Sequence, residues 1–173
     1  MKLFTKFLQI LIIVSPLVLF GYLFCSNYIP GGVLETTYNF ERSPWVSALR
    51  PGHRLSEIKQ NGFKHQSMTD DPIYFDVNLP VNFEQIVIRI DFKNLLNQTF
   101  RIGAYTSRDD WQFIFKDFEI VSQGNGWQTG QVEFETAYLD KPDNKITFVL
   151  STPEIREVGG NIDIKEIKVV ATK

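Results

Sequence analysis

The chain has 173 residues, with 18 basic and 20 acidic side chains and a formal net charge of −2 at pH 7. Because the basic residues are scattered and outnumbered, the composition argues against a nucleic acid as partner. Cys25 is the only cysteine, which excludes a disulfide framework and a zinc site built from cysteines.

The first predicted element is a transmembrane helix over residues 7–25. Its run FLQILIIVSPLVLFGYLF carries no charge, and a helix of that length matches the hydrocarbon thickness of a bilayer. Lys2 and Lys6 precede the run, so the positive-inside rule places a tail of residues 1–6 in the cytoplasm. We therefore expect a single-pass protein of the plasma membrane whose C-terminal domain is extracytoplasmic.

A cleaved secretory signal is the alternative interpretation of this segment. Cleavage requires small residues at positions −3 and −1, and the exit from the apolar run offers Tyr-Leu-Phe-Cys at residues 22–25. An uncleaved signal anchor is therefore favoured. Residues 26–32 contain Pro30-Gly31-Gly32 and form a linker too short to let the next domain move far from the bilayer.

Residues 33–173 have the size of one domain and the pattern of an all-β fold. The clearest segment is IVIRIDF at residues 86–92, in which apolar side chains alternate with polar ones, as in a strand with one buried face. The segment IYFDVNL at residues 73–79 alternates in the same way. The predicted strands, in chain order, are 34–40, 54–58, 73–79, 86–92, 100–105, 112–115, 131–136, 145–151 and 161–171.

The segments between these strands are rich in Gly, Pro, Asn and Asp, and none shows the sustained 3.6-residue period of a long helix. Many short strands joined by such turns predict an antiparallel two-sheet sandwich of the jelly-roll type. In the last strand, Ile162 and Ile164 share one parity whereas Ile167 and Val169 have the other. We therefore expect a β-bulge near residues 165–166.

Three segments resemble the galactose-binding-like jelly-roll domains of carbohydrate-binding modules: DDPIYFDVNLP at 70–80, NGWQTGQVEF at 125–134 and GGNIDIKEIKVV at 159–170. The resemblance covers residues 33–171. It implies an extracellular ligand, usually a glycan, with no cofactor apart from a structural calcium ion in some members. Such an ion binds near the paired terminal strands, and the candidate acidic residues for that position are Glu41, Asp163 and Glu166.

Glycan recognition uses aromatic rings that stack on sugars, together with planar polar groups that bind hydroxyls. Three tryptophans lie in or beside predicted loops, and the polar sheet face carries further aromatic, basic and acidic residues. Aromatic residues also close the ends of sandwich cores, and a charged sheet face is often only hydrated. The candidate ligand-binding residues are Tyr74, Arg89, Arg101, Tyr105, Trp111 and Trp127.

No catalytic residue is predicted. Ser56 and Lys59 have the S-x-x-K spacing of penicillin-binding enzymes, but in a strand they face opposite sides. His53 and His65 lack the spacing of a transition-metal site. A hydrolase is therefore the least favoured of three hypotheses.

We expect a membrane-anchored, non-catalytic module that binds a glycan or a cell-envelope polymer. The alternative is a structural or assembly subunit that contacts another envelope protein through a sheet face or an edge strand. A glycan binder requires Trp111 or Trp127 to be partly exposed beside Arg or Asp in a shallow groove. An assembly subunit requires an exposed apolar patch larger than roughly 400 Å².

Overall fold

The structure is a computed structural model, and it describes residues 6, 11–22, 32–60, 63–107 and 110–173. The chain divides into two units, Met1–Val33 and Leu34–Lys173. In the first unit, residues 11–22 form helix α1. Within the described ranges, no helix has both the length and the apolar character needed to cross a membrane. The parts of the predicted tail, span and linker that lie outside the described residues are 1–5, 7–10 and 23–31.

The described residues from Val33 onward form eleven β-strands, one α-helical turn, α2 (Ile155–Val158), and three short 3-10 helices at Gly52–Arg54, Thr136–Tyr138 and Pro142–Asn144. The strands are β1 (Val33–Tyr38), β2 (Leu55–Gln60), β3 (Phe63–Met68), β4 (Ile73–Asn78), β5 (Gln85–Asn94), β6 (Arg101–Ser107), β7 (Gln112–Asp117), β8 (Glu119–Gly124), β9 (Trp127–Glu135), β10 (Lys145–Ser151) and β11 (Ile162–Thr172).

The strands form two sheets. The larger has seven strands in the order β2-β3-β11-β5-β9-β8, with β1 also paired to β11, and the smaller has four in the order β4-β10-β6-β7. The neighbouring strands along both paths are antiparallel. The prediction of an antiparallel two-sheet sandwich is therefore confirmed.

The core lies between the inner faces of the two sheets, and the period-two alternation decides which side chains reach it. On β5, Ile86, Ile88 and Ile90 are fully buried, as Phe75 is on β4. Each such side chain contributes roughly 1.5–3 kcal/mol by leaving water. The register of β11 against β5 shifts between Ile164 and Glu166, which confirms the predicted bulge.

Two strands were not predicted, β3 and β8. Strand β3 reads FKHQSM and has no regular apolar alternation. Strand β8 is exposed along its whole length at the edge of the larger sheet, so no buried face imposes a period on its sequence. The segment before β4 adds a further irregular edge to the smaller sheet, through bridges from Val46 to Val77 and from Arg50 to Tyr74.

Candidate functional site

The outer face of the four-stranded sheet carries a set of aromatic side chains. Across the sheet, Tyr74 pairs with Val149, Val149 with Gly103, and Gly103 with Phe115. A Cβ atom on Gly103 would lie 2.8 Å from Val149 Cγ1 and 2.9 Å from Phe115 Cε1. Glycine is therefore required there for the Phe115 ring to lie close against strand β6.

The next row of the same face mixes polar and aromatic residues. Asp76 on β4 pairs with Thr147 on β10, and Tyr105 on β6 pairs with Phe113 on β7. The Tyr105 and Phe113 ring centroids are 4.1 Å apart, and Phe113 lies 6.4 Å from Tyr74. The β7 side of the face is therefore aromatic and the β4 side is polar.

Trp111 extends this aromatic surface beyond the end of the sheet. Its ring lies 5.9 Å from that of Tyr105, which is buried beneath its aromatic neighbours. Trp111 itself is 72% exposed. Its backbone has a positive φ of 52°, a conformation that bulky residues rarely adopt. The large apolar ring of Trp111 is therefore mostly exposed to water, and the backbone that carries it is strained.

The polar side of the face is organised around Asp76, which is only 5% exposed. Its Oδ1 accepts hydrogen bonds from Arg50 Nη2 at 2.8 Å and from Thr147 Oγ1 at 2.7 Å. Lys145 Nζ lies 3.9 Å from the other carboxylate oxygen. The backbone N–H of Asp76 donates to the hydroxyl of Ser47. The carboxylate therefore fixes two cations at the edge of the aromatic surface.

Together these groups line a cleft of about 510 Å³, which we call the aromatic cleft. The aromatic rings of such a cleft can stack on one face of a flat, partly apolar ligand, and its cations can donate hydrogen bonds to the edge of that ligand. Beside it, the guanidinium carbon of Arg101 lies 4.6 Å from the centroid of Phe115 and adds a further cation. The lining residues are Arg50, Tyr74, Tyr105, Trp111, Lys145 and Thr147.

The six predicted ligand-binding residues do not form a single site. Tyr74, Arg101, Tyr105 and Trp111 share the outer face of the smaller sheet. Arg89 lies on the opposite side of the molecule, between the buried Ile88 and Ile90 of β5, and its Nε donates to Gln131 Oε1 at 2.7 Å.

Trp127 also belongs to the outer face of the larger sheet. It has the parity of Thr129 on β9, whose hydroxyl donates to Asp91. Its ring packs edge-on against His65 at 5.7 Å. Trp45, a further aromatic candidate, packs against the hydrophobic core. Of the three tryptophans, Trp111 is the one that the structure places in the aromatic cleft.

The acidic residues considered for calcium are not grouped. Among the described residues, no three His, Cys, Asp or Glu side chains are placed together as metal ligands. Asp163 Oδ1 already accepts hydrogen bonds from Ser67 Oγ and Asn161 Nδ2, both at 2.6 Å. Glu166 lies opposite Asp91 in the ladder between β11 and β5, and Glu41 is exposed in the loop after β1. These residues therefore do not fit a common ion.

Sequence reasoning missed three residues that line the aromatic cleft, Arg50, Lys145 and Thr147, and the adjoining rings of Phe113 and Phe115. The parity of Phe113 and Phe115 on β7 matches that of an exposed sheet face and was a signal in the sequence. Arg50 carried no signal, because it precedes a turn and reaches the cleft only through its bridge to Tyr74.

A larger hollow of about 760 Å³ lies at the end of the sandwich where β5 begins and β9 ends. Its lining includes Glu84, Glu135, Lys141 and Lys173. The aromatic residue in the lining, Phe83, is buried and presents no ring face for stacking. The aromatic cleft is the better candidate for a ligand site.

No protein-family model and no curated protein sequence matches the chain. Solved structures with a similar fold include the C-terminal family 6 carbohydrate-binding module of LamC, a laminarinase from Zobellia galactanivorans. It has 10% identity and a TM-score of 0.47, covering 81% of this chain and 100% of that one. The xylan-binding domain CBM22-1 of Paenibacillus barcinonensis Xyn10C has 8% identity and a TM-score of 0.49, covering 81% and 94%.

A carbohydrate-binding module of Cellvibrio mixtus lichenase 5A, solved with cellotriose, has 12% identity and a TM-score of 0.43, covering 80% of this chain and 96% of that one. The likeness to these structures is one of fold.

Proposed function

We propose that the second unit is a non-catalytic module that binds a glycan in the aromatic cleft. The observation that carries the proposal is Trp111, which is 72% exposed, held at a positive φ and in contact with Tyr105 beside a polar edge. Exposing a large ring and straining its backbone both cost free energy. A ligand that stacks on the ring accounts for both features.

The two sides of the cleft have separate roles in this proposal. The rings of Trp111 and Tyr74, which line the cleft, bind the apolar C–H face of a sugar. Arg50 and Lys145 bind its oxygen atoms, since both end in N–H donors. The cleft opens on a sheet face, which suits a segment within a polymer as well as a chain end.

Binding without catalysis follows from the state of Asp76. A glycosidase uses two carboxyl groups on either side of the scissile bond, and one of them donates a proton. Asp76 is buried, and its oxygens face Arg50, Thr147 and Lys145 rather than a ligand in the cleft. It serves to position the two cations.

The test is a glycan array probed with the full-length chain and with two matched variants. We expect Trp111→Ala to weaken binding roughly 30-fold or more, as for truncation of a central aromatic anchor. Trp127→Ala, a tryptophan substitution on the opposite face, should leave binding unchanged. Binding lost in Trp127→Ala and kept in Trp111→Ala would place the ligand on the larger sheet. An array with no bound glycan would refute the function.

We further propose that residues 7–25 anchor this module in the plasma membrane with the second unit outside the cell. The support is the uncharged apolar run and the preceding lysines. Extraction of membranes with alkaline carbonate should leave the chain in the pellet, and mass spectrometry should find residues 1–25 intact. A mature N-terminus between residues 26 and 31 would identify a cleaved signal instead.

A second candidate function is protein–protein contact through two sheet edges, β7 of the smaller sheet and β8 of the larger one. Strand β8 is exposed throughout, and apolar side chains project from both strands. An exposed apolar edge can pair with a strand of another protein. Substituting Val121 with Lys would abolish such a contact and leave glycan binding intact. The exposed apolar residues are Ile114, Phe115, Ile120 and Val121.

A further inference from the structure

The polar edge of the aromatic cleft presents hydrogen-bond donors. The side chains of Arg50 and Lys145 are 51% and 41% exposed, and neither contains an acceptor atom. Thr147 directs its hydroxyl hydrogen toward Asp76. A ligand that approaches the two cations therefore meets N–H groups that require acceptors.

The carboxylate at this edge, that of Asp76, does not reach the surface. Asp76 is buried, and its two oxygens face Arg50, Thr147 and Lys145. Two exposed cations thus share a single buried carboxylate, which leaves an excess positive charge at the mouth of the cleft. Asp110, the exposed residue before Trp111, is not one of the residues that line the cleft.

The hydroxyl oxygens and the carboxylate oxygens of sugars differ in how well they satisfy the N–H donors of Arg50 and Lys145. A hydroxyl accepts one of them, but its own hydrogen then finds no acceptor on Arg50 or Lys145. A carboxylate only accepts, matches the planar guanidinium, and forms charge-assisted hydrogen bonds about twice as strong as neutral ones. The polar edge is therefore better suited to a carboxylate than to a neutral hydroxyl group.

We propose that the aromatic cleft binds an acidic glycan built from uronic acid units. The sugar ring lies on Trp111, and its carboxylate lies at the edge held by Arg50 and Lys145. This inference rests on the proposed glycan-binding function and names the substrate class of the same cleft.

The test compares acidic oligosaccharides with their own carboxyl-reduced forms. The full-length chain is purified in a polyoxyethylene detergent, because the sugar headgroup of a glycosidic detergent would compete for the cleft. Oligogalacturonate, oligomannuronate and oligoglucuronate are titrated beside the reduced oligosaccharides by calorimetry. We expect at least one acid form to bind about tenfold or more tightly than its reduced form. That advantage should shrink as NaCl is raised from about 50 mM to about 500 mM, because salt screens the attraction.

Two lysine variants locate the effect. Lys145→Gln removes the excess cation, while Arg50 and Thr147 still hold Asp76, so we expect a folded protein that has lost most of its preference for the acid form. Lys93 lies on β5 of the opposite sheet, so the Lys93→Gln variant should retain the preference for the acid form. Circular dichroism verifies that both variants are folded.

Two outcomes overturn the inference without touching the proposed function. One is equal or tighter binding of the reduced oligosaccharides, still dependent on Trp111. The other is an acid preference that Lys145→Gln leaves unchanged. Absence of binding to both the acidic set and the glycan array would overturn the substrate class and the function together.

Discussion

At the residue scale, the exposure and backbone conformation of Trp111 are unfavourable for folding but suit the binding of a ligand. Its ring contacts Tyr105, but most of it is in water, and its backbone adopts the left-handed conformation. For a residue with a Cβ atom, that conformation costs roughly 1 kcal/mol or more. Glycine adopts it without a steric penalty.

We expect Trp111→Gly to be more stable than Trp111→Ala by about 1 kcal/mol, because both variants lose the ring and only glycine relieves the backbone. Both should lose glycan binding to the same extent. Denaturant unfolding of the two variants measures the difference. Equal stability, or a more stable alanine variant, would show that the positive φ is not a strain at this position.

Residue parity explains what the sequence predicted of the site and what it missed. The alternation on β4 and β6 correctly placed Tyr74 and Tyr105 on an outward face. Parity cannot tell which sheet a strand joins, so Arg89 was grouped with Arg101 although β5 and β6 belong to different sheets. Sheet membership depends on pairing between distant strands, such as β10 with β4, that no local pattern encodes.

At the scale of elements, one ion pair ties the loop between β3 and β4 to helix α2. Arg156 forms a two-bonded pair with Asp70 through Nε and Nη2, and Arg54 lies 3.9 Å from the same carboxylate. The hydrogen bonds from Arg156 lower the pKa of Asp70 from 3.8 to about 2. The pair therefore holds the helical turn against the loop above that pH.

The sign of the pH dependence follows from the lowered pKa of Asp70. A depressed carboxyl pKa contributes stability that is present above the ordinary value of 3.8 and is lost as the pH falls toward 2. We expect Asp70→Asn to unfold more readily than the native chain at about pH 5, with the difference vanishing near pH 2. Denaturant titrations at several pH values measure this gap.

Glu119 supplies the control for that measurement. It lies on the exposed strand β8 and forms no ion pair with the described residues. Glu119→Gln should therefore show no comparable gap at pH 5. A gap of the same size in both variants would mean that general charge, rather than the Asp70–Arg156 pair, sets the acid sensitivity.

The elements most readily predicted are those with one buried and one exposed face. Strand β5 shows this alternation, and its predicted and observed bounds differ by two residues at most. Strand β3 was not predicted because polar side chains such as His65 and Ser67 are buried on its outer face. His65 packs against the Trp127 ring, and the Ser67 hydroxyl hydrogen-bonds with Asn161 and Asp163. These partners are distant in the sequence, so hydrophobicity along the chain does not report the burial.

At the scale of the whole molecule, the fold depends on its last strand. Strand β11 lies between β3 and β5 and also pairs with β1, so it joins both ends of the chain's second unit into one sheet. Its inward residues are fully buried in the shared core: Ile162, Ile164, Ile167, Val169 and Ala171.

We expect residues 32–173, produced alone, to unfold in a single cooperative transition, because both sheets bury their inner faces in the same core. A fragment that stops at residue 160 lacks β11, exposes the inner edges of β3 and β5, and should not fold. Agreement between the calorimetric and van't Hoff enthalpies tests cooperativity in the longer fragment. Two resolved transitions there, or a folded shorter fragment, would show that the sheets are stable independently and that β11 does not close the sandwich.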